Sequence, residues 1–563
     1  MILHVLAAAL ATASTGVAAQ AISDAAIAQE LQRQIERERA LRERQEPSPD
    51  VRLSAPPAAD PGRLAEAETP CFLINEIALR SDAHDFAWAR TAADPEEDPA
   101  TGRCLGSTGI NLVMKRIQDA IVARGYVTTR VLAEAQDLRG GKLTLTVVPG
   151  RIRAIRFSER SGTRANAWNA MPMRPGDILN LHDIEQGLEN LKRVPTAEAD
   201  IQIVPADQPG ESDLVIAWKQ ALPLRLTLNA NDGGSKSTGK HLGSVTVSGD
   251  HLLALNDLFY ASFNRNLGTR DSENGKRGTK GHTFHYSLPW GYWLLGVTAS
   301  ENRYYRNVAG LSQNYLYSGT SENYEARLSR VLYRDGRSKT SAHLRGYLTK
   351  SANFIDDTEV EVQRRRMAGW ELGLQHRAFL GEATLDLGAT WRQGTGAFRA
   401  MPAPEEDFDE GTHRPRILSA DASLNLPFKL AGQQLRYLAS WRAQWNRTPL
   451  VPQDRFSIGG RHTVRGFDGE SVLMAERGWL VRNDLGWSPG SGGQELYLAL
   501  DHGEVGGHSA DLLVGRRLTG AALGLRGGYK DFSWDVFAGV PVSKPEGFKT
   551  AHHTGGINLT WSF

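Results

Sequence analysis

A glycine-rich loop, GGRHTVRGFDGE at residues 459–470, is the stretch whose residue types most suggest a chemical site. It holds four glycines, two arginines, one histidine and two acids around a single aromatic residue, Phe467. Backbone amides of a glycine-rich loop can cradle phosphate, but that chemistry needs a following Lys-Ser/Thr pair and a strand-to-helix setting. This loop has neither, so the sequence does not predict nucleotide binding.

The remaining polar pairs complete neither a metal site nor a catalytic site. His502 and His508 are separated by a glycine-rich turn, and His552 and His553 are adjacent. Neither pair has the spacing and additional ligands of a metal centre. No nucleophile stands beside a plausible base. We therefore expect no enzymatic activity, no metal and no cofactor.

The two cysteines, Cys71 and Cys104, lie 33 positions apart. In an exported chain they can oxidise, and a bridge across that loop stabilises the fold by about 3–4 kcal/mol in the chain-entropy treatment. The alternative is two free thiols. Metal binding is disfavoured, because no neighbouring His or Cys completes a ligand set.

The chain has 563 residues with 65 basic and 64 acidic side chains, a balance that argues against nucleic-acid binding. Residues 1–19 have the pattern of a secretory signal peptide, with an apolar run from Ile2 to Ala13 and small residues Val17 and Ala19 before Gln20. A short buried helix is the alternative. The run is too short to span a membrane.

Residues 20–46 are predicted to form one helix, since apolar residues recur near helical spacing and arginine and glutamate fill the other faces. Such balanced charges fit either an ordinary solvated helix or a helix placed in a water-filled space. Residues 47–69 contain five prolines and no periodicity, so we expect an extended linker.

Two small α+β modules are predicted next, at residues 70–149 and 150–220. In the first, CFLINEIAL is expected to be a strand and STGINLVMKRIQDAIVARGY an amphipathic helix; in the second, NLHDIEQGLENLKRV is the helix and ADIQIV a strand. Both follow the order β-α-β-β, which indicates a tandem pair of like modules.

From residue 221 to 563 the helical periodicity gives way to alternation with a period of two. LRYLASWRAQW places Leu435, Tyr437 and Trp441 on one face, with arginines on the other, and the chain ends on Phe563 of an apolar face. An apolar-outside, polar-inside pattern with aromatics near the strand ends is typical of a membrane β-barrel. About 340 residues, at about twenty per strand and connection, predict about 16 antiparallel strands. A soluble β-sandwich or propeller is the alternative. The exclusion of charged residues from only one face of the strands favours the membrane barrel.

Several motifs resemble those of the TpsB family, the transporters of two-partner secretion. VRGF, Val464 to Phe467, resembles the motif at the tip of that family's sixth extracellular loop, and four later blocks resemble its C-terminal strands: ERGWLVRNDLGW, YLALDHGEV, LTGAALGLRG and VFAGVPVSKPEGF. GYVTTRVL and LTVVPGRI resemble its periplasmic POTRA modules. The order is the family's: signal peptide, helix, linker, POTRA1, POTRA2 and barrel.

The resemblance implies a function. The chain would sit as a monomer in the outer membrane of a Gram-negative cell, and its POTRA modules would bind an unfolded, secreted TpsA-type partner transiently in the periplasm. The barrel would conduct that partner outside, and the helix at 20–46 would plug the pore at rest. Partner binding is expected by strand addition to an exposed sheet edge, with ADIQIV and the second module's helix as candidates.

The family pattern also implies a site inside the barrel. In that family an acidic residue two positions before a glycine pairs with the arginine of the loop motif. In this chain the corresponding pair is Asp501 with Arg465, and Gly503 would leave room for the loop. An arginine offers the carboxylate a planar, bidentate contact that lysine cannot reproduce. A carboxylate that merely lines a wet channel is the alternative for Asp501. By strand alternation Arg482 and Asp484 also point inward and would extend the network; a generic lumen wall explains them as well.

Two other functions remain open at this point. A barrel-assembly insertase of the same superfamily usually carries more POTRA modules and lacks the helix. A solute porin needs no periplasmic modules.

Overall fold

The computed structural model describes residues 27–46, 49–53, 62–81, 86–268, 271–272, 275–310, 313–490 and 492–563. The predicted signal peptide at 1–19 lies outside these ranges. A helix, α1, runs from 27 to 45 within the predicted plug segment. In the described part of the chain no helix is both long and apolar enough to cross a membrane.

The first small module packs one helix against a short sheet. The sheet has β2 and β4 on either side of β5, and Cys71 is disulfide-bonded to Cys104 beside the β1–β3 pair. The stretch CFLINEIAL forms two strands and not one, because the chain breaks pairing at Asn75 and moves to a second sheet. The elements are β1 (Phe72–Ile74), β2 (Glu76–Arg80), β3 (Arg103–Leu105), α2 (Ser107–Ala123), β4 (Arg130–Leu132) and β5 (Lys142–Val148).

The second small module has the same plan, with a sheet ordered β6-β8-β7. Its helix buries Ile184, Leu188 and Leu191 against that sheet, as the helical stripe in the sequence requires. Asn180 caps the helix by accepting a hydrogen bond from the His182 amide at 2.9 Å. The elements are β6 (Arg151–Phe157), α3 (Leu181–Lys192), β7 (Ala197–Pro205) and β8 (Glu211–Gln220).

The C-terminal part is a closed antiparallel barrel of 16 long strands. Two two-residue strands, β12 and β17, lie at hairpin ends, and β22 with β23 forms a separate ribbon. The last strand closes on the first, with Asn558 opposite Asn231 and Ser562 opposite Thr227. The strands are β9 (Leu224–Asn231), β10 (Leu242–Asp250), β11 (Leu258–Asn266), β12 (Asp271–Ser272), β13 (Gly275–Trp290), β14 (Trp293–Ala309), β15 (Asn314–Arg334), β16 (Ser338–Ile355), β17 (Thr358–Glu359), β18 (Arg365–Leu380), β19 (Ala383–Thr395), β20 (Arg416–Leu430), β21 (Gln433–Asn446), β22 (Phe456–Ile458), β23 (Leu473–Ala475), β24 (Arg477–Ser488), β25 (Glu495–Gly506), β26 (Arg517–Tyr529), β27 (Phe532–Ser543) and β28 (Thr554–Ser562).

Strand alternation sorts the side chains of the wall. In β25, Leu496, Leu498 and Leu500 are exposed on the outer surface, while Tyr497 and Asp501 are buried inside. Because successive side chains point to opposite faces, one apolar row per strand covers the barrel. This arrangement is the one that a lipid-embedded barrel requires.

The second module is docked on one rim of the barrel. Arg334, at the end of β15, pairs with Glu185 and Glu189 of α3 at 3.0 and 2.8 Å, and all three side chains are nearly inaccessible to solvent. The backbone amides of Val51 and Leu53, from the segment before the first module, donate to the same two carboxylates at 3.2 and 2.7 Å. The expectation that α3 offers a binding surface is therefore wrong, since the barrel and this segment cover its polar face.

Candidate functional site: the loop inside the barrel

The glycine-rich loop is carried by the ribbon of β22 and β23, which leaves the wall and enters the barrel. The ribbon pairs Phe456 with Ala475 and Ile458 with Leu473. The apolar side chains at its base exclude water from the loop's root. They form one buried cluster: Ile458, Val464, Phe467, Leu473, Ala475, Leu480, Val505, Ala510, Leu518 and Phe548.

The sequence folds the loop locally through a hydroxyl and a glycine. The Thr463 hydroxyl accepts hydrogen bonds from the amides of Gly459 and Gly460 at 3.1 and 3.0 Å, which closes a tight turn before the motif. Gly466 has φ +97°, a conformation that side chains with a Cβ rarely adopt. The reversal there points Arg465 and Phe467 toward different parts of the wall.

Three wall glycines on successive strands let the ribbon and its loop lie against the barrel. A Cβ at Gly503 of β25 would lie 2.9 Å from Ile458 Cγ2, and one at Gly539 of β27 would lie 3.0 Å from the Gly466 Cα. A Cβ at Gly520 of β26 would overlap the carbonyl oxygen of Arg465. The loop is thus fitted closely to this patch of wall, in the space that the three missing wall side chains leave.

Arg465 and Asp501 form a buried, bidentate ion pair. Asp501 Oδ2 accepts from Arg465 Nε at 2.7 Å and from its backbone amide at 2.9 Å, and Oδ1 accepts from Nη2 at 2.7 Å. The aspartate side chain is 0% exposed and the arginine side chain 4%. Forming such a pair costs much desolvation, but removing one partner leaves an uncompensated buried charge that costs about 3–5 kcal/mol.

The charge network continues along the wall. Asp484 accepts a hydrogen bond from Arg465 Nη2 and another from Arg526 at 3.0 Å. Arg482 Nε lies 3.7 Å from Asp501, outside hydrogen-bonding range, so Arg482 contributes a long ionic contact. Beyond Arg526, Glu495 accepts from Arg526 Nε at 2.7 Å and from Arg436 Nε at 2.8 Å. Alternating charges of this kind hold one another in place in a narrow lumen.

Phe467 gives the loop an apolar contact with a second loop. Its ring meets Phe548 edge to face, with centroids 5.8 Å apart. Val464 is fully buried beside Gly503. The two side chains flank Arg465 in sequence and shield its ion pair from water, which strengthens the electrostatic contact.

Helix α1 lies inside the barrel and touches the same loop. Gln29 Nε2 donates to the Gly469 carbonyl at 2.6 Å, and an Arg33 Nη2 donates to the same oxygen. Arg442 of β21 pairs with Glu36 of the helix at 3.1 Å and also donates to the His462 carbonyl at 2.6 Å. The loop and the helix are therefore joined directly and through a shared arginine.

The rest of the helix is held by polar groups on several sides of the lumen. Glu38 accepts from Ser300 of β14 at 2.7 Å, and Arg42 pairs with Glu325 of β15. Gln45 accepts from Ser248 of β10 at 2.8 Å. Contacts to strands on different sides of the wall place α1 across the pore, in the water-lined setting that its charge balance suggested.

The residues predicted from the sequence come together at this site, but they contact the loop to different extents. Val464 lies beside Gly503 and Arg465 binds Asp501, while Gly466 lies against Gly539. Phe467 packs on Phe548. Asp484 contacts Arg465 directly, and Arg482 makes only the long ionic contact with Asp501. Sequence reasoning missed Gly520, Gly539, Arg526 and Glu495. Alternation places all of them on the inner face, but it does not say which inward residues a loop will reach. In the described ranges no group of three or more His, Cys, Asp or Glu residues is placed to hold a metal ion.

Comparison with known proteins assigns the architecture to a family. Residues 210–527 match the haemolysin secretion/activation proteins ShlB/FhaC/HecB, residues 72–150 match the ShlB-type POTRA domain, and residues 151–205 match a POTRA domain. The chain belongs to this family. It is thus a TpsB transporter of the outer membrane, in which POTRA1 and POTRA2 lie on the periplasmic side.

Individual relatives agree over most of the chain. It is 36% identical over 536 residues to the outer membrane transporter CdiB-2 of Burkholderia pseudomallei (strain 1026b), covering 92% of this chain and 90% of the relative. It is 28% identical over 386 residues to the haemolysin transporter ShlB of Serratia marcescens, covering 68% and 67%. The solved structure of CdiB from Acinetobacter baumannii superposes with a TM-score of 0.84 at 28% identity, covering 96% of this chain and 99% of that one.

Proposed function

We propose that this TpsB transporter binds its secreted TpsA-type partner transiently and unfolded at the POTRA modules, and conducts it through the barrel as a monomer without a chemical step. The observation that carries the proposal is the Arg465–Asp501 pair, which fixes a loop inside a barrel whose lumen is occupied by a removable polar helix. The relatives CdiB-2 and ShlB, both named as transporters, support the partner's class. The chain's division into signal peptide 1–19, plug 20–46, linker 47–69, POTRA1 70–149, POTRA2 150–220 and barrel 221–563 is part of this proposal.

The helix is suited to be a reversible plug because its contacts with the wall are polar. Two apolar residues, Ile27 and Leu31, pack on Tyr304 and Tyr317, and the other contacts described above are hydrogen bonds and ion pairs. Water in the lumen can take over each of these hydrogen bonds at a net cost of about 0.5–1.5 kcal/mol. A helix with a broad apolar face would instead stay bound or aggregate when released.

The partner's first contact is assigned to the edge of the POTRA2 sheet. Among the residues that the structure describes, strand β7 pairs only with β8, so its other edge can accept an added strand. Asp200 and Gln202 are exposed along it. A photo-activated cross-linking residue at Gln202 should capture the partner's secretion signal, while the same residue at exposed Glu159 of the loop after β6 should not. Equal capture at both positions contradicts the assignment to β7.

Deleting the gene tests the proposed function itself. The cognate partner, expected in an adjacent reading frame, should be trapped in the periplasm and reach the surface again when the gene is restored. Other outer-membrane barrels should keep their normal abundance. A general loss of barrels would instead indicate an insertase, and normal secretion of the partner would contradict the proposal.

A further inference from the structure

Large apolar side chains stand exposed where POTRA2 meets the barrel rim. We call this the rim surface, and it consists of Trp168 (61% exposed), Leu252 (41%), Leu253 (64%), Trp290 (60%) and Trp293 (40%). The proposed export path through the lumen does not use it. A cluster of this size on the outside of a protein normally marks an interaction surface.

The barrel part of the rim surface continues the rows of side chains that face lipid. Trp290 and Trp293 flank the two-residue turn between β13 and β14. Trp290 lies in the outward row of Phe284, and Trp293 in the outward row of Leu295, both of which are exposed. The two indoles therefore stand at the periplasmic end of the lipid-facing surface. Tryptophan is enriched at that level, where its ring meets both headgroups and chains.

Trp168 extends this surface onto POTRA2. Its ring meets Trp290 edge to face, with centroids 5.4 Å apart. The neighbouring Asn169 is buried and donates to the carbonyls of Leu255, in the turn between β10 and β11, and of Pro289, near the end of β13, at 2.6 and 3.0 Å. Its own carbonyl accepts from the Gly291 amide at 2.8 Å. These bonds hold the backbone at Trp168 against the rim, so its indole stays beside Trp290.

A cavity of about 570 Å³ opens beside these rings, with basic side chains at its border. Trp168, Trp290 and Trp293 line its apolar part, and Arg174 and Arg330 line it as well. The Arg330 guanidinium lies over the Trp293 ring, 4.8 Å from its centroid. An arginine next to an interfacial indole is suited to a phosphate group, because the guanidinium forms charge-assisted, bidentate hydrogen bonds.

We propose that POTRA2 is itself a membrane-contacting module: the rim surface lies in the headgroup region of the periplasmic leaflet, and the cavity binds a phospholipid whose phosphate meets Arg330 and Arg174. A bilayer lipid is the occupant because the surface continues the outward rows of the barrel and faces away from the lumen that a secreted polypeptide enters.

Labelled cysteines test the contact in the full-length transporter, whose native cysteines are joined in a disulfide. An environment-sensitive fluorophore is attached at Trp168→Cys or Leu253→Cys, and the protein is placed in nanodiscs of phosphatidylethanolamine and phosphatidylglycerol with or without brominated acyl chains. Both labels should emit at shorter wavelength than a label at Asp207→Cys, an exposed site at the far end of POTRA2, and brominated lipid should quench them. Leu498→Cys, on the outer face of β25, is the quenched reference.

The Leu253 site leaves the contact between Trp168 and Trp290 intact, so a local disturbance at position 168 does not decide the result. If both labels match the Asp207 label while the Leu498 label is quenched, the proposal is overturned. It is also overturned if the labels become shielded only when the secreted partner is added.

The phosphate contact has its own measurement. Native mass spectrometry of the transporter should find less retained phosphatidylglycerol in Arg330→Gln than in the wild-type protein. Arg337→Gln, at an exposed position in the next turn, should retain the wild-type amount. Equal retention in Arg330→Gln and Arg337→Gln overturns the assignment of the phosphate to Arg330.

Discussion

The carbonyl group of Arg465 lies directly against the Cα of Gly520, so closely that a methyl group at position 520 would overlap the carbonyl oxygen. The same arginine reaches past this point to Asp501 on the neighbouring strand. Backbone contact on β26 and charge contact on β25 therefore fix one residue of the loop from two directions. The loop is part of the pore's inner structure, although it is carried by a segment between two strands at the cell surface.

Gly520→Ala should displace the loop and impair export. The barrel wall and the loop backbone are both held by hydrogen bonds or packing, so neither can move aside without loss of stability. Overpacking of this kind typically costs about 1–3 kcal/mol of folding free energy. We expect reduced secretion of the partner from cells that hold normal amounts of heat-modifiable barrel. Gly555→Ala is the matched control, since the nearest atom to its Cβ would be 3.6 Å away. Equal secretion by the two variants would show that the loop tolerates displacement.

Asp501→Asn should weaken the loop's attachment more than Asp484→Asn. Asp501 is fully buried and receives three hydrogen bonds from Arg465, whereas Asp484 receives one from it and is 12% exposed. Hydrogen bonds to charged groups contribute about 1.5–3 kcal/mol each, so the difference should be measurable. Protease cleavage within the loop, followed on the folded barrel, should be faster in Asp501→Asn. The reverse order would contradict the account of the network.

Removing the helix's contacts with the loop should favour the unplugged state. Gln29→Ala combined with Arg33→Ala removes both donors to the Gly469 carbonyl, a loss of about 2 kcal/mol in all, which raises the open population by roughly 30-fold. Planar-bilayer recordings should show longer or more frequent openings than in the wild-type protein. Arg39→Ala is the control, because that side chain is half exposed and pairs with Glu43 on the helix. Unchanged recordings for the double variant would contradict coupling through Gly469.

Replacing both cysteines should destabilise POTRA1 and leave the barrel folded. The bridge from Cys71 to Cys104 closes a loop of 33 residues, and its loss costs about 3–4 kcal/mol in the chain-entropy treatment. Limited proteolysis of Cys71→Ala with Cys104→Ala should cut POTRA1 at a lower protease concentration, with heat-modifiability of the barrel unchanged. Wild-type resistance of POTRA1 would show that its apolar core suffices without the bridge.

Alternation along the strands predicted which side chains of the wall face the lumen. It did not predict the contacts that the loop and helix α1 make inside the barrel. A period of two places Asp501 and Asp484 on the inner face, because each residue's side is set by its immediate neighbours. The contact of Arg465 with Asp501 joins residues 36 positions apart, and the contact of Glu38 with Ser300 joins residues 262 apart. Such pairs depend on how the loop and the helix settle inside a closed barrel, and nothing local specifies that. The family resemblance, and not spacing, predicted the first pair; nothing in the sequence predicted Gly520 or Arg526.

Secretion by the Arg465→Ala variant is the decisive measurement for the loop anchor. The substitution leaves the buried Asp501 carboxylate with Arg482 as a distant counter-charge, so the loop should detach from the wall. We expect the partner to accumulate in the periplasm, at the level of a strain that lacks the transporter, while the variant barrel remains in the outer membrane in normal amount. Wild-type secretion by Arg465→Ala, at equal barrel abundance, would contradict the claim that the Arg465–Asp501 anchor is required for export.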